Sequence, residues 1–320
     1  MVHRSDSGVL IATAITYSRF GGPDVLTVSQ VSVPEPGPGQ LRVQVLAIGV
    51  NLIDAKIRSG QLPVPTEFPV IPGFDVAGIV DAVGAGRTDF EIGTAVFGTA
   101  VSGAYADYAL MDGGWIWPKP AGLSWEVAAA LPTIAETAFR ALQHLDLHTG
   151  ETLLVHGAAG GVGATATQLA ISRGVRVVAS VGEADLAFVR SLGATAIHYG
   201  DGLVERVRAV SPSGVDAVLD TSGAGVLADS VELAGGGGRV ITTVDGRAPE
   251  FGATFTGPDP SDRTPEGVPI VADMVAAGAL SVRIGTTYPL SEAVAAHTAL
   301  ESHTGGKIIL VPSRPATAPT

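Results

Sequence analysis

A glycine-rich turn between a predicted strand and a predicted helix carries the clearest chemical signal in the chain. Ala158-x-Gly160-x-x-Gly163 has the spacing of the dinucleotide-binding fingerprint, with alanine in the first position. Glycines at this turn let the backbone approach a pyrophosphate, whose charge is stabilised by free N–H groups at the positive end of the helix. Gly163 lets the helix pack closely on the strand. The predicted pyrophosphate site consists of Ala159, Gly160, Gly161, Val162 and Gly163.

The end of the second strand of such a fold distinguishes the two nicotinamide dinucleotides. An acidic residue there accepts a hydrogen bond from the ribose 2′-OH of NAD, whereas this chain has Ser180. The loop that follows carries Glu183 and Asp185 and no lysine or arginine that could pair with a phosphate. Even so, a hydroxyl can donate to a 2′-phosphate that an aspartate would repel. Ser180 therefore favours NADPH as the cofactor, with NADH as the less favoured alternative.

Strands and helices alternate in the segment that contains this turn. The pattern predicts strands at 152–156, 175–181, 194–198, 215–219 and 239–244, with helices at 162–173, 184–192, 203–210 and 225–233. Four successive βα units with nearly continuous apolar strands indicate an α/β domain with a doubly wound parallel sheet. Thr243 and Val244 end a strand at the carboxyl edge, where ligands bind in such sheets. Phe251 and Phe255 follow in a glycine-rich loop and are predicted to cover the substrate.

The remaining segments have a different texture. In the first third, short alternating runs are interrupted by proline and glycine, which predicts a partly barrel-like β domain. An alanine-rich helix is predicted from Trp125 to about Leu145, with Ser124 as its N-cap and Pro132 as a kink or boundary. Beyond Arg263 we predict a helix at 265–278, a strand near 280–284, a helix at 291–302 and a strand at 307–311. A mobile tail is expected from about residue 312.

Composition excludes several classes of function. The 320 residues include no cysteine, so a thiolate nucleophile and a cysteine-based metal site are excluded. Nineteen Lys and Arg against 31 Asp and Glu give a net charge of −12, which argues against nucleic acid and anionic membranes as partners. No apolar run reaches the length of a membrane span, and the run from Val9 to Ile15 is interpreted as a first strand rather than a signal peptide. A cytoplasmic protein is expected.

A series of further motifs extends over nearly the whole chain. They occupy residues 21–26, 49–60, 72–78, 129–132, 191–194 and 305–308. In this order they resemble the zinc-independent quinone oxidoreductases related to zeta-crystallin, within the medium-chain dehydrogenase/reductase superfamily. The resemblance implies a GroES-like domain at 1–128, a Rossmann NADP-binding domain at 129–263 and a segment at 264–320 that completes the first domain. It also implies a homodimer, for which the apolar strand near Leu280 is a candidate edge.

The chain departs from the zinc-dependent members of that superfamily. They place a cysteine ligand near Asn51 and a His-Glu pair near Phe74 and Asp75. His156 and His297 are interpreted as packed or surface histidines, so no metal site is predicted. Without a Lewis acid to hold an alkoxide, alcohol oxidation is disfavoured. The predicted reaction is a zinc-independent hydride transfer from NADPH to a small-molecule quinone or to an α,β-unsaturated carbonyl compound, an enone or enal.

Catalytic roles are implied by the same resemblance. Asn51 and Asp54 match an Asn-x-x-Asp segment that lines the cleft between the domains and approaches the nicotinamide in similar enzymes. Many quinone reductases have tyrosine where this chain has Lys56, whereas plant-type alkenal and enone reductases have lysine. Lys56 is therefore a candidate to bind the nicotinamide ribose or to stabilise an enolate, and its alternative is a solvated surface lysine. This residue moves the prediction from quinones toward enones.

Further cofactor contacts are implied position by position. Thr133 and Thr137 correspond to residues beside the cofactor, and otherwise they are ordinary helix residues. Tyr199 matches a residue that stacks on or bonds the adenosine phosphate in NADPH-specific relatives, and otherwise it belongs to the core. Lys307 matches a lysine near the cofactor phosphates, although the arginine that relatives often carry before the Gly-Lys pair is missing.

Two other functions stay open at this point. The same hydride step would serve an enoyl-thioester reductase or an enone reductase of secondary metabolism. A protein of another class, an NADPH-binding redox sensor with little turnover, would need only the cofactor turn.

Overall fold

The structure is a computed structural model that describes residues 3–4, 9–257, 259–302 and 305–313. The chain divides into two compact units, Met1–Thr133 with Arg283–Thr320, and Ile134–Val282. The predicted Rossmann domain is 129–263, whereas the second unit begins at Ile134 and ends at Val282. Helix α7 (Gly267–Ala276) lies in this unit, with Gly267 against the ring of Phe139. From residue 314 onward, the predicted mobile tail lies outside the described residues.

The first unit is built mainly on antiparallel strand pairs. Strands β4 (Leu41–Val50), β5 (Asp75–Val83), β6 (Ala95–Ala100) and β7 (Tyr108–Pro118) pair in succession, and β7 also pairs with β4, which closes a barrel. Strand β15 (Lys307–Val311) pairs with the other end of β4, and β14 (Ile284–Pro289) pairs with β15. A smaller sheet contains β1 (His3–Arg4), β2 (Leu10–Thr16) and β3 (Thr27–Ser32). The predicted GroES-like β domain is confirmed.

Three helices begin in this unit, α1 (Leu52–Ser59), α2 (Trp125–Leu145) and α8 (Ala293–Glu301). Ser124 caps α2 as predicted, because its Oγ accepts from the backbone N–H of Val127 at 3.2 Å. Pro132 lies inside α2 and is not a boundary. Proline has no N–H and crowds the carbonyl four residues earlier, so the helix is weakened here. The N–H of Thr133 donates to Asp75 Oδ2 at 3.2 Å.

The second unit contains a parallel sheet in the order β10-β9-β8-β11-β12-β13 within the described residues. Its strands are β8 (Thr152–His156), β9 (Arg176–Val181), β10 (Thr195–His198), β11 (Ala217–Asp220), β12 (Val240–Thr242) and β13 (Thr254–Phe255). Helices α3 (Gly161–Ser172), α4 (Leu186–Ser191), α5 (Leu203–Val210) and α6 (Leu227–Leu233) connect them. The predicted Rossmann fold is confirmed. The strand order reverses beside β8, where ligands bind in such sheets.

The prediction of a strand that starts near Leu280 is wrong. Leu280 is buried in the second unit, and its N–H donates to the carbonyl of Met274 at the end of α7. Its alternation with Val282 and Ile284 imitates a strand, but β14 starts only at Ile284 and joins the sheet of the first unit. In the described residues, Leu280 therefore does not belong to a strand; the homodimer and its candidate edge stay predictions. No helix in the described part of the chain is long and apolar enough to cross a membrane.

Candidate cofactor and substrate site

The glycine turn has the geometry that its spacing predicts. Gly160 is the N-cap of α3, with an extended backbone and no side chain to cap the helix. Because the first N–H groups of a helix have no intrahelical acceptor, they stay available to an anion. A Cβ atom at Gly163 would lie 2.4 Å from the carbonyl oxygen of Gly157, whereas one at Gly160 would meet nothing closer than 3.4 Å. Gly163 thus permits the helix–strand packing, and Gly160 leaves space for a pyrophosphate.

The carboxyl ends of β8 and β9 are joined by a buried hydrogen bond. His156 Nδ1 lies 2.7 Å from Ser180 Oγ, and both side chains are buried. On the other side of the ring, Nε2 lies 3.2 Å from Ser230 Oγ, which donates to the carbonyl of Val226 at 2.6 Å. Burial lowers the pKa of His156 to about 4, so the imidazole is neutral at pH 7. His156 is a packed histidine, as predicted, and Ser180 is one of its partners.

The neighbouring strand ends are also polar. Asp220, at the end of β11, accepts from Ser222 Oγ at 2.7 Å and from Thr242 Oγ1 at 2.9 Å. These bonds hold the turn after β11 against the end of β12. Thr243 and Val244 follow β12 directly, at the carboxyl edge where the sequence placed them.

Tyr199 follows β10 and is 55% exposed, so it is not a core residue. Its ring stacks on His198 with 5.0 Å between ring centroids. The same ring lies beside Gly182, where a Cβ atom would be 3.3 Å from Tyr199 Cε1. Tyr199 is therefore placed next to the loop that follows Ser180 and is open to a ligand.

In the first unit, distant parts of the chain meet at the N-terminus of α1. Lys307 Nζ donates to Asn51 Oδ1 and, at 2.9 Å, to the carbonyl of Val50. Asn51 Nδ2 donates to Asp75 Oδ2 at 2.9 Å, and Thr133 Oγ1 donates to Asp75 Oδ1 at 2.8 Å. The structure thus brings three predicted residues, Asn51, Thr133 and Lys307, together through Asp75.

Charge is balanced inside this cluster. Burial raises the pKa of the Asp75 carboxyl, and the ammonium of Lys307 opposes that rise. Burial lowers the pKa of Lys307, and the charges of Asp75 and Asp54 oppose that fall. Because β15 pairs with β4, the Lys307 ammonium is engaged beside Asn51; the phosphate role implied by resemblance stays a prediction.

A buried chain of hydrogen bonds leads away from Asp54. Asp54 Oδ2 lies 3.1 Å from Tyr105 Oη, and Tyr105 Oη lies 3.0 Å from His297 Nε2. Arg58 Nη1 donates to His297 Nδ1 at 3.1 Å. Since a guanidinium only donates, His297 carries its ring hydrogen on Nε2 and donates to Tyr105, which donates to Asp54. In this series of hydrogen bonds, the donor and the acceptor of each bond are therefore defined.

Burial is the main cause of the pKa shifts of Asp54 and His297 in this series of hydrogen bonds. Burial, above all, raises the pKa of Asp54 to about 7. Burial and the charge of Arg58 lower the pKa of His297 to about 3, so this ring is neutral at pH 7. Arg58 is itself almost fully buried and forms an ion pair with Glu301. His297 is a packed histidine, as predicted.

Lys56 and Thr137 make few polar contacts. Lys56 is half-buried on α1, and its side chain has no hydrogen bond or ion pair among the described residues. Thr137 is half-buried on α2, with Oγ1 donating to Glu136 at 3.5 Å. The ammonium of Lys56 is free to meet a ligand, and the hydroxyl of Thr137 can accept from one.

The two phenylalanines predicted to cover the substrate pack on the second unit. Phe251 and Phe255 are partly buried against its apolar core, and Phe255 lies in β13 rather than in a loop. Thr256 follows β13 and accepts from the buried Arg140, which also donates to Glu136 at 2.7 Å. Polar contacts with α2 thus fix the segment after Phe255.

No group of three or more potential metal ligands comes together in the described ranges. At the position of the superfamily's zinc ligands, the structure has Asn51 and Asp75 in the network with Lys307.

Sequence reasoning missed three members of these networks as site residues. Asp75 lies in the motif at 72–78, but its partners are far along the chain. Tyr105 and His297 are 192 residues apart, and no local pattern marks them as a pair. The only available signal is a set of polar residues inside otherwise apolar segments.

Comparisons with known proteins cover both units. A family model described as alcohol dehydrogenase GroES-like domain matches residues 37–121, and one described as zinc-binding dehydrogenase matches residues 192–310. A quinone oxidoreductase of Lama guanicoe is 34% identical over 95% of this chain and 99% of its own.

Solved structures give the same result. The quinone oxidoreductase from Coxiella burnetii has a TM-score of 0.85 and 31% identity, covering 95% of this chain and 100% of that chain. A mycobacterial protein complexed with NADPH has a TM-score of 0.83 and 32% identity, covering 94% of this chain and 100% of that chain. Nearly the whole chain therefore has counterparts in these proteins.

Proposed function

Because the chain belongs to the quinone oxidoreductase family of the medium-chain dehydrogenases/reductases, we propose that it is an NADPH-dependent, zinc-independent reductase of quinones or α,β-unsaturated carbonyl compounds. The observation that carries this proposal is the uncapped N-terminus of α3 behind Gly160, at the carboxyl edge of a Rossmann sheet. NADPH is supported by the mycobacterial neighbour that is complexed with it.

The residues that would hold the cofactor are those that the glycine turn and the family resemblance indicate. Backbone groups of the turn would bind the pyrophosphate, and Tyr199 would lie against the adenosine end. The other proposed contacts are Thr133, Thr137, Ala159, Gly160, Gly161, Val162, Gly163, Ser180, Thr243, Val244 and Lys307.

A bound reduced nicotinamide supplies a hydride to the acceptor. Negative charge then develops on an acceptor oxygen, and a donor held close to it lowers the barrier. The ammonium of Lys56 has no partner among the described residues, which fits that role. Asn51 and Asp54 act as positioning residues, because their hydrogen bonds hold the first turn of α1. Lys56 lies on the same helix. The product oxygen takes its proton from water.

The acceptor is a small molecule in this proposal, and Phe251 and Phe255 belong to its pocket. We also propose a homodimer, without a zinc ion, in the cytoplasm.

The first test follows NADPH oxidation at 340 nm with panels of quinones, enones, enals and enoyl thioesters. Alcohols are tested in the reverse direction, by reduction of the oxidised cofactor. Turnover with quinones or enones that a zinc chelator leaves unchanged is the expected result. Turnover with enoyl thioesters alone would favour the alternative reductase. Cofactor binding without turnover of any acceptor would indicate a redox sensor, and chelator-sensitive alcohol oxidation would contradict the proposal.

Lys56→Ala tests the proposed donor. Loss of an oxyanion donor costs about 100-fold in kcat, whereas NADPH affinity is expected to stay unchanged. Arg19→Ala, which removes an exposed cation from the same unit, is the matched control. An unchanged kcat in Lys56→Ala would return Lys56 to the role of a surface lysine.

A further inference from the structure

The hydrogen bonds around His156 determine what Ser180 can offer to a ligand. Ser230 Oγ has one hydrogen, and it donates this hydrogen to the carbonyl of Val226 at 2.6 Å. Its contact with His156 Nε2 at 3.2 Å therefore has the histidine as donor. A neutral imidazole with a hydrogen on Nε2 has only a lone pair on Nδ1. The 2.7 Å bond between His156 Nδ1 and Ser180 Oγ thus has Ser180 as donor.

Ser180 consequently presents lone pairs, and no hydrogen, to any further partner. Its side chain is buried, so the hydroxyl stays in this orientation. A 2′-phosphate is recognised by donors and cations, whereas a ribose 2′-OH is itself a donor. At the end of β9, Ser180 can accept from a 2′-OH, as an acidic residue does in NAD-binding proteins. The expectation that Ser180 donates to a 2′-phosphate is not supported by this geometry.

Among the described residues, no hydrogen bond or ion pair brings a cation to Ser180, whose side-chain bond is to His156. The loop after β9 carries the exposed carboxylate of Glu183. On the loop after β10, the guanidinium of Arg206 donates through Nε, Nη1 and Nη2 to four backbone carbonyls, those of His198, Tyr199, Gly200 and Asp201. Arg206 therefore holds the loop that carries Tyr199, and it cannot form the two parallel hydrogen bonds by which arginine recognises phosphate.

We propose that this chain uses NADH as well as NADPH, with Ser180, oriented by His156, as the residue that accepts the ribose 2′-OH. The inference rests on the proposed function, since it requires a nicotinamide dinucleotide at the glycine turn. It goes beyond that function because it assigns a specificity-determining residue and relaxes the preference for the 2′-phosphate.

Equilibrium binding provides the first test. Calorimetric titrations with NADPH and with NADH are compared at one ionic strength, and kcat/KM is measured for both with the same acceptor. Dissociation constants within tenfold of each other are expected. NADPH binding that is more than tenfold tighter would overturn the inference and leave the proposed function intact. Failure of both dinucleotides to bind would overturn both.

Ser180→Ala tests the assigned residue. Loss of one neutral hydrogen bond costs about 1 kcal/mol, so NADH affinity should fall roughly fivefold, and NADPH affinity should fall less. Ser180→Thr, which keeps the hydroxyl, should restore NADH binding. Ser191→Ala removes an exposed hydroxyl from the same unit and serves as control. Weaker binding of NADPH, with NADH unchanged, would show that Ser180 donates to the phosphate.

Glu183→Lys tests the missing cation. A lysine beside the 2′-position should strengthen NADPH binding by about tenfold or more and leave NADH binding nearly unchanged. Asp273→Lys makes the same charge change at an exposed position of α7. Equal effects of the two variants would indicate a general charge effect and would contradict the placement of the 2′-position beside Glu183.

Discussion

Asp54 has two carboxyl oxygens with different surroundings. Oδ2 accepts from the N–H of Asn51 at 2.9 Å and from Tyr105 Oη, whereas Oδ1 has no partner among the described residues. Burial raises the pKa to about 7, and the charge of Asp75 adds to the rise, while Lys307 and the two hydrogen bonds oppose it. The native state therefore binds a proton that the unfolded state releases near pH 4. Stability contributed by this group is present at low pH and is lost as the pH rises through about 7.

Asp54→Asn should remove this pH dependence. Between pH 5 and pH 8 the proton on Asp54 accounts for about 2–3 kcal/mol of unfolding free energy. Urea unfolding of the wild type should lose that amount over the interval, relative to the variant. Asp24→Asn changes an exposed carboxylate of the same unit and should follow the wild type. Parallel pH curves for wild type and Asp54→Asn would show that Asp54 is ionised at pH 5.

For single residues, the sequence predicted which residues belong to the candidate site better than it predicted their hydrogen-bond partners. Asn51 and Lys307 lie in motifs, and Thr133 directly follows one; the resemblance implied all three, and the structure brings them together. Asp75 joins them across separations of 24 and 58 residues, which no local pattern reports. The direction of the Ser180 hydrogen bond depends on His156 and Ser230, and it is visible only in the packed structure.

Helices and strands position the residues of the candidate site through close contacts between their backbones. The α3 turn is such a case, because a Cβ atom is excluded at Gly163 by the Gly157 carbonyl but not at Gly160. Two glycines three residues apart therefore have different reasons for lacking a side chain. Gly163 serves the packing of α3 on β8, and Gly160 has the role of ligand contact in the proposed function.

Gly163→Ala and Gly160→Ala should separate these two reasons. Overpacking of this kind costs about 1–3 kcal/mol, so Gly163→Ala should lower the unfolding free energy even without cofactor. Gly160→Ala should unfold like the wild type, because its φ of −74° suits alanine, but should bind NADPH more weakly. Thermal unfolding and calorimetric titration of both variants provide the measurements. Equal loss of stability in the two variants would contradict this division.

Periodicity predicted the long elements and failed at short ones. The βα units from Thr152 were predicted because their apolar strands and amphipathic helices are repeated. Strand β13 has only two residues, too few for any pattern. Leu280 was misassigned because a buried residue after a helix and a strand residue can show the same alternation.

For the whole molecule, charge is the dominant physical property. The net charge of −12 creates a field that opposes an anionic cofactor. In the proposed function, the uncapped helix N-terminus would attract the pyrophosphate only within its first turn. Approach from a distance and binding at contact are therefore governed by opposite electrostatic effects.

Salt should accelerate cofactor association. Raising the ionic strength from about 0.01 M to about 0.15 M shortens the screening length from about 30 Å to about 8 Å. Stopped-flow measurements should show a faster association rate for NADPH, and a smaller gain for NADH, which lacks the 2′-phosphate. An association rate that falls with salt would mean that a local positive field outweighs the net charge.

The pairing of β15 with β4 also has a consequence for biosynthesis. The second unit is continuous in sequence, and its sheet is complete once Phe255 has left the ribosome. The first unit cannot be completed until Lys307 emerges and reaches Asn51, 256 residues earlier. Since domains generally fold as units during synthesis, the Rossmann unit can fold first and the barrel last. A nascent chain that stalls before Lys307 would leave the buried Asp75 without its cation, which would make the barrel a target for cellular quality control.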